Sequence, residues 1–322
     1  MIEGDNMSEY IMFMNVITPL HNGSGEGLGI VDNPIMRERT TQFPIIQASS
    51  IKGVLRDAYG DDNDADVVAL FGSPPESREE DMHAGAVSFG EGQILAFPVR
   101  SLKGCFVWIT SPLVLWRFYQ KVDITDMGDS FPKLESLIGT IRSKPQNAMI
   151  CPSGIDELLL SDKNKRKKLL LEEFPIAYVD SKELEEFAEE ISGNVYESKI
   201  DFLKKEFEKK LVVLDDDTFR YFVTNATEII PNIMIGDKGT TKKGSLRYTE
   251  YLPSETIMYS ILTFERSRRN NRRLDAEGVK KLFADNLPRN IQIGGDETTG
   301  KGIVKLALAK GANSNDEQKS GS

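Results

Sequence analysis

Apolar residues fall along this chain in two rhythms. Residues 10–18 (YIMFMNVIT) are almost continuously apolar and rich in β-forming types, which predicts a buried strand. A polar stretch follows in which Gly23, Gly25, Gly27 and Gly29 recur up to Asp32-Asn33-Pro34, the composition of a long loop. At 49–59 the pattern becomes helical, opened by a serine pair able to cap the helix. Residues 85–115 carry several short strands, of which 97–99 and 105–110 are the clearest.

From about 112 to 211 the character is helical. Residues 163–173 and 181–191 are charged and amphipathic, and 197–211 continues that style. β character returns at 218–235. A tip rich in Gly, Lys and Thr (236–244) leads to 247–251, and 255–265 reads as another strand. A short helix over 275–286 precedes a hairpin, 290–293 with 303–308, around a glycine-rich turn. Residues 311–322 are poor in hydrophobics, and disorder is expected there. Strands at both ends around a helical middle predict one α+β sheet domain with large insertions. Two separate domains fit less well, because the N-terminal strand needs sheet partners that the early chain barely supplies.

Composition narrows the class. Of 322 residues, 39% are hydrophobic and 28% charged, enough for a real core. No apolar run approaches the ~20 residues that cross a bilayer, and the acidic, polar residues 1–8 do not resemble a signal peptide. Cys105 and Cys151 could form at most one disulfide and no zinc site by themselves. A cytoplasmic, reduced protein with no membrane partner is expected. The net charge of −10 argues against a generic nucleic-acid coater, but charge is distributed unevenly. Acid concentrates at 57–66 and 183–190. Basic residues cluster at Lys52 and Arg56, at Lys242, Lys243 and Arg247, and along 266–273. Basic stripes of this kind can hold phosphates along one face.

Residues 295–302 nearly spell the phosphate-cradling pattern G-x-x-x-x-G-K-[ST]. Gly302 stands where the magnesium-binding hydroxyl belongs, and the segment that follows is strand-like, whereas a P-loop opens a helix. A nucleotide-hydrolysing loop is therefore rejected. Exposed glycine amides with Lys301 can still hold polynucleotide phosphates.

An ordered set of motifs then resembles a known family. Thr18-Pro-Leu-His21-x-Gly23, Val31-Asp32-x-Pro34-Ile-x-Arg37-Glu38-Arg39 and Ser49-Ser50-Ile-Lys52-Gly53-Val-Leu-Arg56 resemble the RAMP proteins of type III CRISPR systems. Ala96-Phe97-Pro98-Val99-Arg100-Ser101, Tyr248-Thr-Glu250-Tyr251-Leu252-Pro253 and the glycine-rich 294–302 extend the match across nearly the whole chain. Gln47-Ala48 departs from the Pro-Gly expected before the serine pair, and about 120–215 matches nothing usable. The likeness is greatest to the backbone subunit of the type III-B, or Cmr, effector complex.

The resemblance implies an RRM-like (ferredoxin-like) palm with a helical insertion and a β-hairpin thumb. The palm would span about 8–115 and 216–310, in a single domain over 1–310, with the insertion at about 116–215. It implies stacked copies along one CRISPR RNA, each cutting target RNA at a flipped-out nucleotide with a divalent metal (Mg²⁺ or Mn²⁺). The products expected carry a 2′,3′-cyclic phosphate and a 5′-hydroxyl. Implied partners are guide and target RNA, a polymerase-like large subunit, a small helical subunit and a 5′-tag-binding RAMP subunit.

Asp32 is the candidate catalytic residue and metal ligand. An exposed aspartate is ionised at neutral pH and a poor general base, so it suits holding a divalent ion or orienting a ribose 2′-hydroxyl. On residue type alone, an Asx-turn aspartate is the better fit, and the family resemblance reverses that preference. His21 can shuttle a proton at neutral pH, stack on a base or fill a structural niche. Glu250 can assist Asp32 or be an ordinary strand residue, and Tyr251 beside it is a candidate RNA contact. Ser49, Ser50, Lys52 and Arg56 suit phosphate binding at a helix start. Arg37 and Arg39 suit the target strand or a neighbouring subunit, and Gly295, Gly300 and Lys301 suit RNA phosphates. A binding-only scaffold, a standalone P-loop enzyme and a precursor-processing RAMP are the competing functions.

Overall fold

The computed structural model describes residues 7–25, 27, 29–61, 64–74, 77, 82–125, 131–143, 148–161, 166–196, 202–237, 239–268 and 273–309. The expected tail, and 269–272 within the arginine-rich stretch, lie outside them.

The first part of the chain forms β1 (Ser8–Val16), β2 (Ile45–Ile46), α1 (Ala48–Tyr59), α2 (Ala65–Phe71), β3 (Val87–Phe89), β4 (Gly92–Arg100) and β5 (Phe106–Thr110). The middle forms α3 (Pro112–Ile124), α4 (Pro132–Ser143), β6 (Ala148–Ile150), α5 (Ile155–Leu158), β7 (Leu159–Ser161), β8 (Lys167–Leu171), β9 (Phe174–Ile176) and β10 (Tyr178–Asp180). There follow α6 (Lys182–Val195), α7 (Phe202–Lys210), β11 (Leu211–Val213), α8 (Asp216–Asn225), β12 (Glu228–Asn232) and β13 (Arg247–Tyr251). The chain closes with β14 (Ile257–Phe264), α9 (Ala276–Asn286), β15 (Asn290–Gln292) and β16 (Ile303–Leu308).

One sheet runs β10-β6-β11-β5-β4-β14-β1-β16-β15, with β2 on β4 and β3 on β14. Its heart, β4-β14-β1-β16, is antiparallel, with Met12 opposite Ser260 on one side and Leu308 on the other. Ile11–Val16 are all buried, so β1 is covered on both faces. Residues of opposite parity point to opposite faces. Tyr10 meets Phe264, which meets Phe283 of α9, and Tyr59 of α1 also packs against Phe283. Phe13 and Tyr259 instead meet Phe118 of α3, which touches Phe187 of α6. The result is an α/β/α sandwich around the predicted N-terminal strand.

Three expectations are corrected. Residues 163–173 contain the strand β8, not a helix: Leu169 and Leu171 are the buried positions, a spacing of two, in an antiparallel trio with β7 and β9. Residues 216–225 form α8, not a strand. Asp215 caps it by accepting from the Thr218 amide, and Phe219, Phe222 and Val223 supply a helical buried stripe. The middle region is not wholly helical, since β11 pairs in parallel with β5 and carries β6 and β10 onto the main sheet. Pro98 sits in β4 beyond its last partner in β14, Ala96↔Ile257, where its missing N–H leaves no gap in the ladder.

Candidate functional site

Two segments far apart in sequence are joined at β13. Loop residue Asn33 bridges in parallel to Thr249. The Asn33 amide donates to the Tyr248 carbonyl at 3.1 Å, and the Glu250 amide donates to the Asn33 carbonyl at 3.0 Å. The Asn33 side chain also donates to Thr249 Oγ1. The Asp32 loop is thus bridged at Asn33 to the edge of the β12–β13 hairpin.

Within it, Asp32 is half-buried, and its Oδ2 accepts the Tyr248 amide at 2.7 Å. Its carbonyl accepts the Gly27 amide at 2.8 Å, which curls the glycine-rich loop back. Gly27 is needed there because a Cβ would stand 2.8 Å from the Val31 carbonyl. Oδ1 of Asp32 has no partner among the described residues. One oxygen is anchored and the other is available.

Glu250 is buried, at 6% exposure, and both its oxygens are engaged. Oε1 accepts from Arg37 Nη2 at 2.5 Å and from Thr227 Oγ1 at 2.8 Å, and Oε2 accepts from the Ile35 amide at 3.0 Å. Arg37 also donates to the carbonyls of Gln42 and Val223. Glu250 and Arg37 therefore pin residues 35–37 to the hairpin and to the end of α8. Arg39 is exposed.

His21 joins the hairpin to the glycine-rich turn. Its Nδ1 lies 2.7 Å from the Glu250 carbonyl, which can only accept, so Nδ1 carries a proton. Its own carbonyl accepts the Gly295 amide at 2.9 Å. The ring meets Tyr251 edge-on at 5.6 Å. A Cβ at Gly23 would come within 2.6 Å of Nε2, and one at Gly294 (φ +85°) within 2.2 Å of the His21 carbonyl. Tyr251 is buried, and its hydroxyl donates to Asp296 Oδ2 at 2.6 Å. Burial and the Asp296 carboxylate push this phenol up to about 12. Lys301 lies over the same ring at 5.2 Å. Gly295 and Gly300 are exposed, and β16 rather than a helix follows the turn, as the rejection of a P-loop requires.

The serine pair does not cap α1. Gln47 is the N-cap and makes no side-chain cap bond, so Ser49 and Ser50 lie within the first turn. Ser49 is exposed, and Ser50 Oγ donates to Asn22 Oδ1 at 3.5 Å. Asn22 is itself buried and donates to the Ile45 carbonyl. The helix start is thereby placed beside His21 and Gly294. Burial, then the neighbouring Arg56, lower the Lys52 ammonium below the ordinary lysine range. An anion bound there would relieve both penalties.

The structure thus brings His21, Glu250, Tyr251, the 294–302 turn and the α1 start together, with the Asp32 loop annealed to the same hairpin. Sequence reasoning missed Asn22, Asn33, Thr227, Tyr248 and Asp296. Asp296 offered a signal, an αL-tolerant residue (φ 63°) in a glycine-rich turn; a buried asparagine such as Asn22 offers none.

No group of three His, Cys, Asp or Glu able to hold a metal occurs among the described residues, and none of their helices is long and apolar enough to cross a membrane. Cys105 and Cys151 are both free thiols.

Residues 13–305 match the model of the RAMP superfamily. The chain is 34% identical over 311 residues to the CRISPR system Cmr endoribonuclease Cmr4 of Pyrococcus furiosus, covering 95% of this chain and 98% of that protein. It is similar to the crystal structure of oligomeric Cmr4 from Pyrococcus furiosus, at TM-score 0.63 and 28% identity, covering 93% of this chain and 97% of that one. It shares its fold with a chain of the type III-B Cmr-beta complex bound to cognate target RNA, at TM-score 0.68 and 21% identity, covering 93% and 96%.

Proposed function

The chain belongs to the RAMP superfamily, and on that premise we propose that it is an RNA-binding backbone subunit of a type III-B CRISPR effector and cuts target RNA at regular intervals. The observation that carries this reading is Asp32, one oxygen anchored on the Tyr248 amide and the other open, on a loop fixed to the hairpin by main-chain bonds. The relative named as an endoribonuclease supports it over nearly the full length. In the same reading the main sheet is the palm, about 116–215 the insertion and β12–β13 the thumb. Copies stack along a guide RNA with other Cmr subunits, in the cytoplasm.

The chemistry follows from the expected products. A 2′,3′-cyclic phosphate forms when the 2′-oxygen attacks the adjacent phosphorus in line with the departing 5′-oxygen. Asp32 Oδ1 accepts the 2′-hydroxyl and orients it, which is the positional part of the rate enhancement. His21 holds Nδ1–H against the Glu250 carbonyl, so in this reading its Nε2 takes the proton that the 2′-hydroxyl loses, and that proton passes on to the departing 5′-oxygen, which leaves as the 5′-hydroxyl. Glu250 and Arg37 are positioning residues for the Asp32 loop, and Tyr251 positions the glycine-rich turn through Asp296. The guide backbone is held by the α1 start with Ser49, Ser50, Lys52 and Arg56, by the Gly295 and Gly300 turn, and by Lys301. Arg39 faces the target strand.

A divalent ion fits this donor set. The open carboxylate oxygen of Asp32 is an oxygen donor of the kind that a hard divalent ion takes. Bound through Asp32, Mg²⁺ or Mn²⁺ would supply charge neutralisation at the phosphate.

A scaffold without chemistry is the competing reading. The Tyr248 amide bond favours it, because it gives Asp32 a structural task. The complex reconstituted with guide and labelled target separates the two. Fragments at fixed spacing that end in 2′,3′-cyclic phosphate and vanish on chelation are expected. Fragments ending in 3′-hydroxyl, or cutting indifferent to chelator, would contradict the proposal.

A further inference from the structure

The two faces of the β12–β13 hairpin differ in a way that the functions assigned above do not use. Directly opposed residues share a face. Glu228 with Tyr251, Ile230 with Thr249 and Asn232 with Arg247 form the face turned to Lys301 and the glycine-rich turn, polar but for Ile230. The other face carries Ile229 opposite Glu250 and Pro231 opposite Tyr248. Above the buried Glu250, Ile229 is 49% exposed and Tyr248 36% exposed. The Tyr248 side chain has neither a ring partner nor a hydrogen bond among the described residues. Its backbone is held at both polar atoms, donating to Asp32 Oδ2 at 2.7 Å and accepting from the Asn33 amide at 3.1 Å. Ile30, two residues before Asp32, is 93% exposed at the tip of the same loop.

An exposed, unpartnered aromatic ring whose backbone is bonded to the candidate carboxylate is a stacking platform. We propose that Tyr248 stacks on an unpaired nucleobase of the target strand next to the cut phosphate, and so positions the ribose for Asp32. This rests on the nuclease reading above and deepens it. Single-stranded RNA is held by stacking its bases on aromatic side chains, a contact tolerant of sequence. That tolerance is what a guide-directed cutter needs at a position where the protein must accept any base. A neighbouring copy is the less suitable occupant, because Tyr248 is bonded through its amide to the aspartate that this reading keeps open to RNA. Tyr248 is a positioning residue in this scheme: its ring fixes the base, and Asp32 touches the sugar.

The test uses the reconstituted complex in single-turnover cleavage. Tyr248→Ala and Tyr248→Phe are compared on the normal target and on targets with one abasic ribonucleotide placed on either side of the cut. Tyr248→Ala is expected to slow cutting by about 10-fold or more, Tyr248→Phe to retain it, and both to assemble on the guide normally. One of the abasic targets is expected to slow the parent complex similarly and to add nothing to Tyr248→Ala. The proposal is overturned if Tyr248→Ala cuts at the parental rate, or if the alanine and abasic effects multiply as independent losses. Loss of assembly along the guide in Tyr248→Ala would also overturn it, by assigning the strip to a neighbouring copy. Asp32→Ala in the same assay keeps the two readings apart: if it still cuts, the nuclease site itself is misassigned, whatever Tyr248 does.

Discussion

Arg37 and Glu250 lie 213 positions apart in the chain and meet at 2.5 Å, with side-chain exposures of 12% and 8%. Removing one member of a buried pair leaves the other charged and unmatched, which costs about 3–5 kcal/mol. Glu250→Ala is therefore expected to lower the free energy of unfolding by that order and to abolish cutting through disorder of residues 32–37. Denaturant melts of Glu250→Ala, Arg37→Ala and the double variant check it. The double variant should lose less than the sum of the two.

The glycines of the 294–302 turn are not equivalent. Gly294 has φ +85°, and a Cβ there would stand 2.2 Å from the His21 carbonyl; Gly300 has φ +75°, with nothing near its Cβ. Gly300→Asn should bind guide RNA within about threefold of the parent, since asparagine tolerates αL backbone. Gly294→Ala must displace His21 and should weaken guide binding by tenfold or more. Gel-shift titration of both variants decides it.

Glu190 predicts a pH dependence of stability. Burial foremost, with Glu186 adding to it against the opposing pull of Lys133, raises this carboxyl to about 7. The native chain then binds more protons than the unfolded chain between the ordinary carboxylate range and about pH 7. Stability attributable to this group falls as pH rises through that window, and the penalty is full above it. Glu190→Gln keeps an oxygen for the Lys133 amide, which Glu190 Oε1 accepts at 3.3 Å. The variant should be the more stable at pH 8, by on the order of 1 kcal/mol after allowance for solvent screening. That gap should close near pH 5. Urea midpoints at the two pH values measure it.

Much of this was legible in the residues and some was not. β1, α1, α9 and the closing hairpin follow from unbroken apolar runs or helical spacing. Thr218–Phe222 is rich in β-forming types and so reads as a strand, while the signals of α8, the Asp215 cap and the Phe219, Phe222 and Val223 spacing, are subtler. The lysines and leucines of β8 suit a helix, and only burial reveals the spacing of two at Leu169 and Leu171. Strands of three residues such as β6 and β11 are too short to carry any period. Asp32, His21 and Glu250 stood out by motif. That Glu250 grips Arg37, and that Asp32 leans on Tyr248, are pairings between distant segments that no local pattern encodes.

The central claim is that the open oxygen of Asp32 takes part in the cut while its partner oxygen merely anchors the loop. Asp32→Asn keeps an oxygen for the Tyr248 amide and removes the charge, so the loop should hold while the chemistry fails. Single-turnover cleavage by the reconstituted Asp32→Asn complex, alongside its guide and target affinities, is the direct measurement. The prediction is a loss of regularly spaced cutting by 100-fold or more with both affinities unchanged. Cutting at the parental rate would contradict the account and leave the subunit a scaffold.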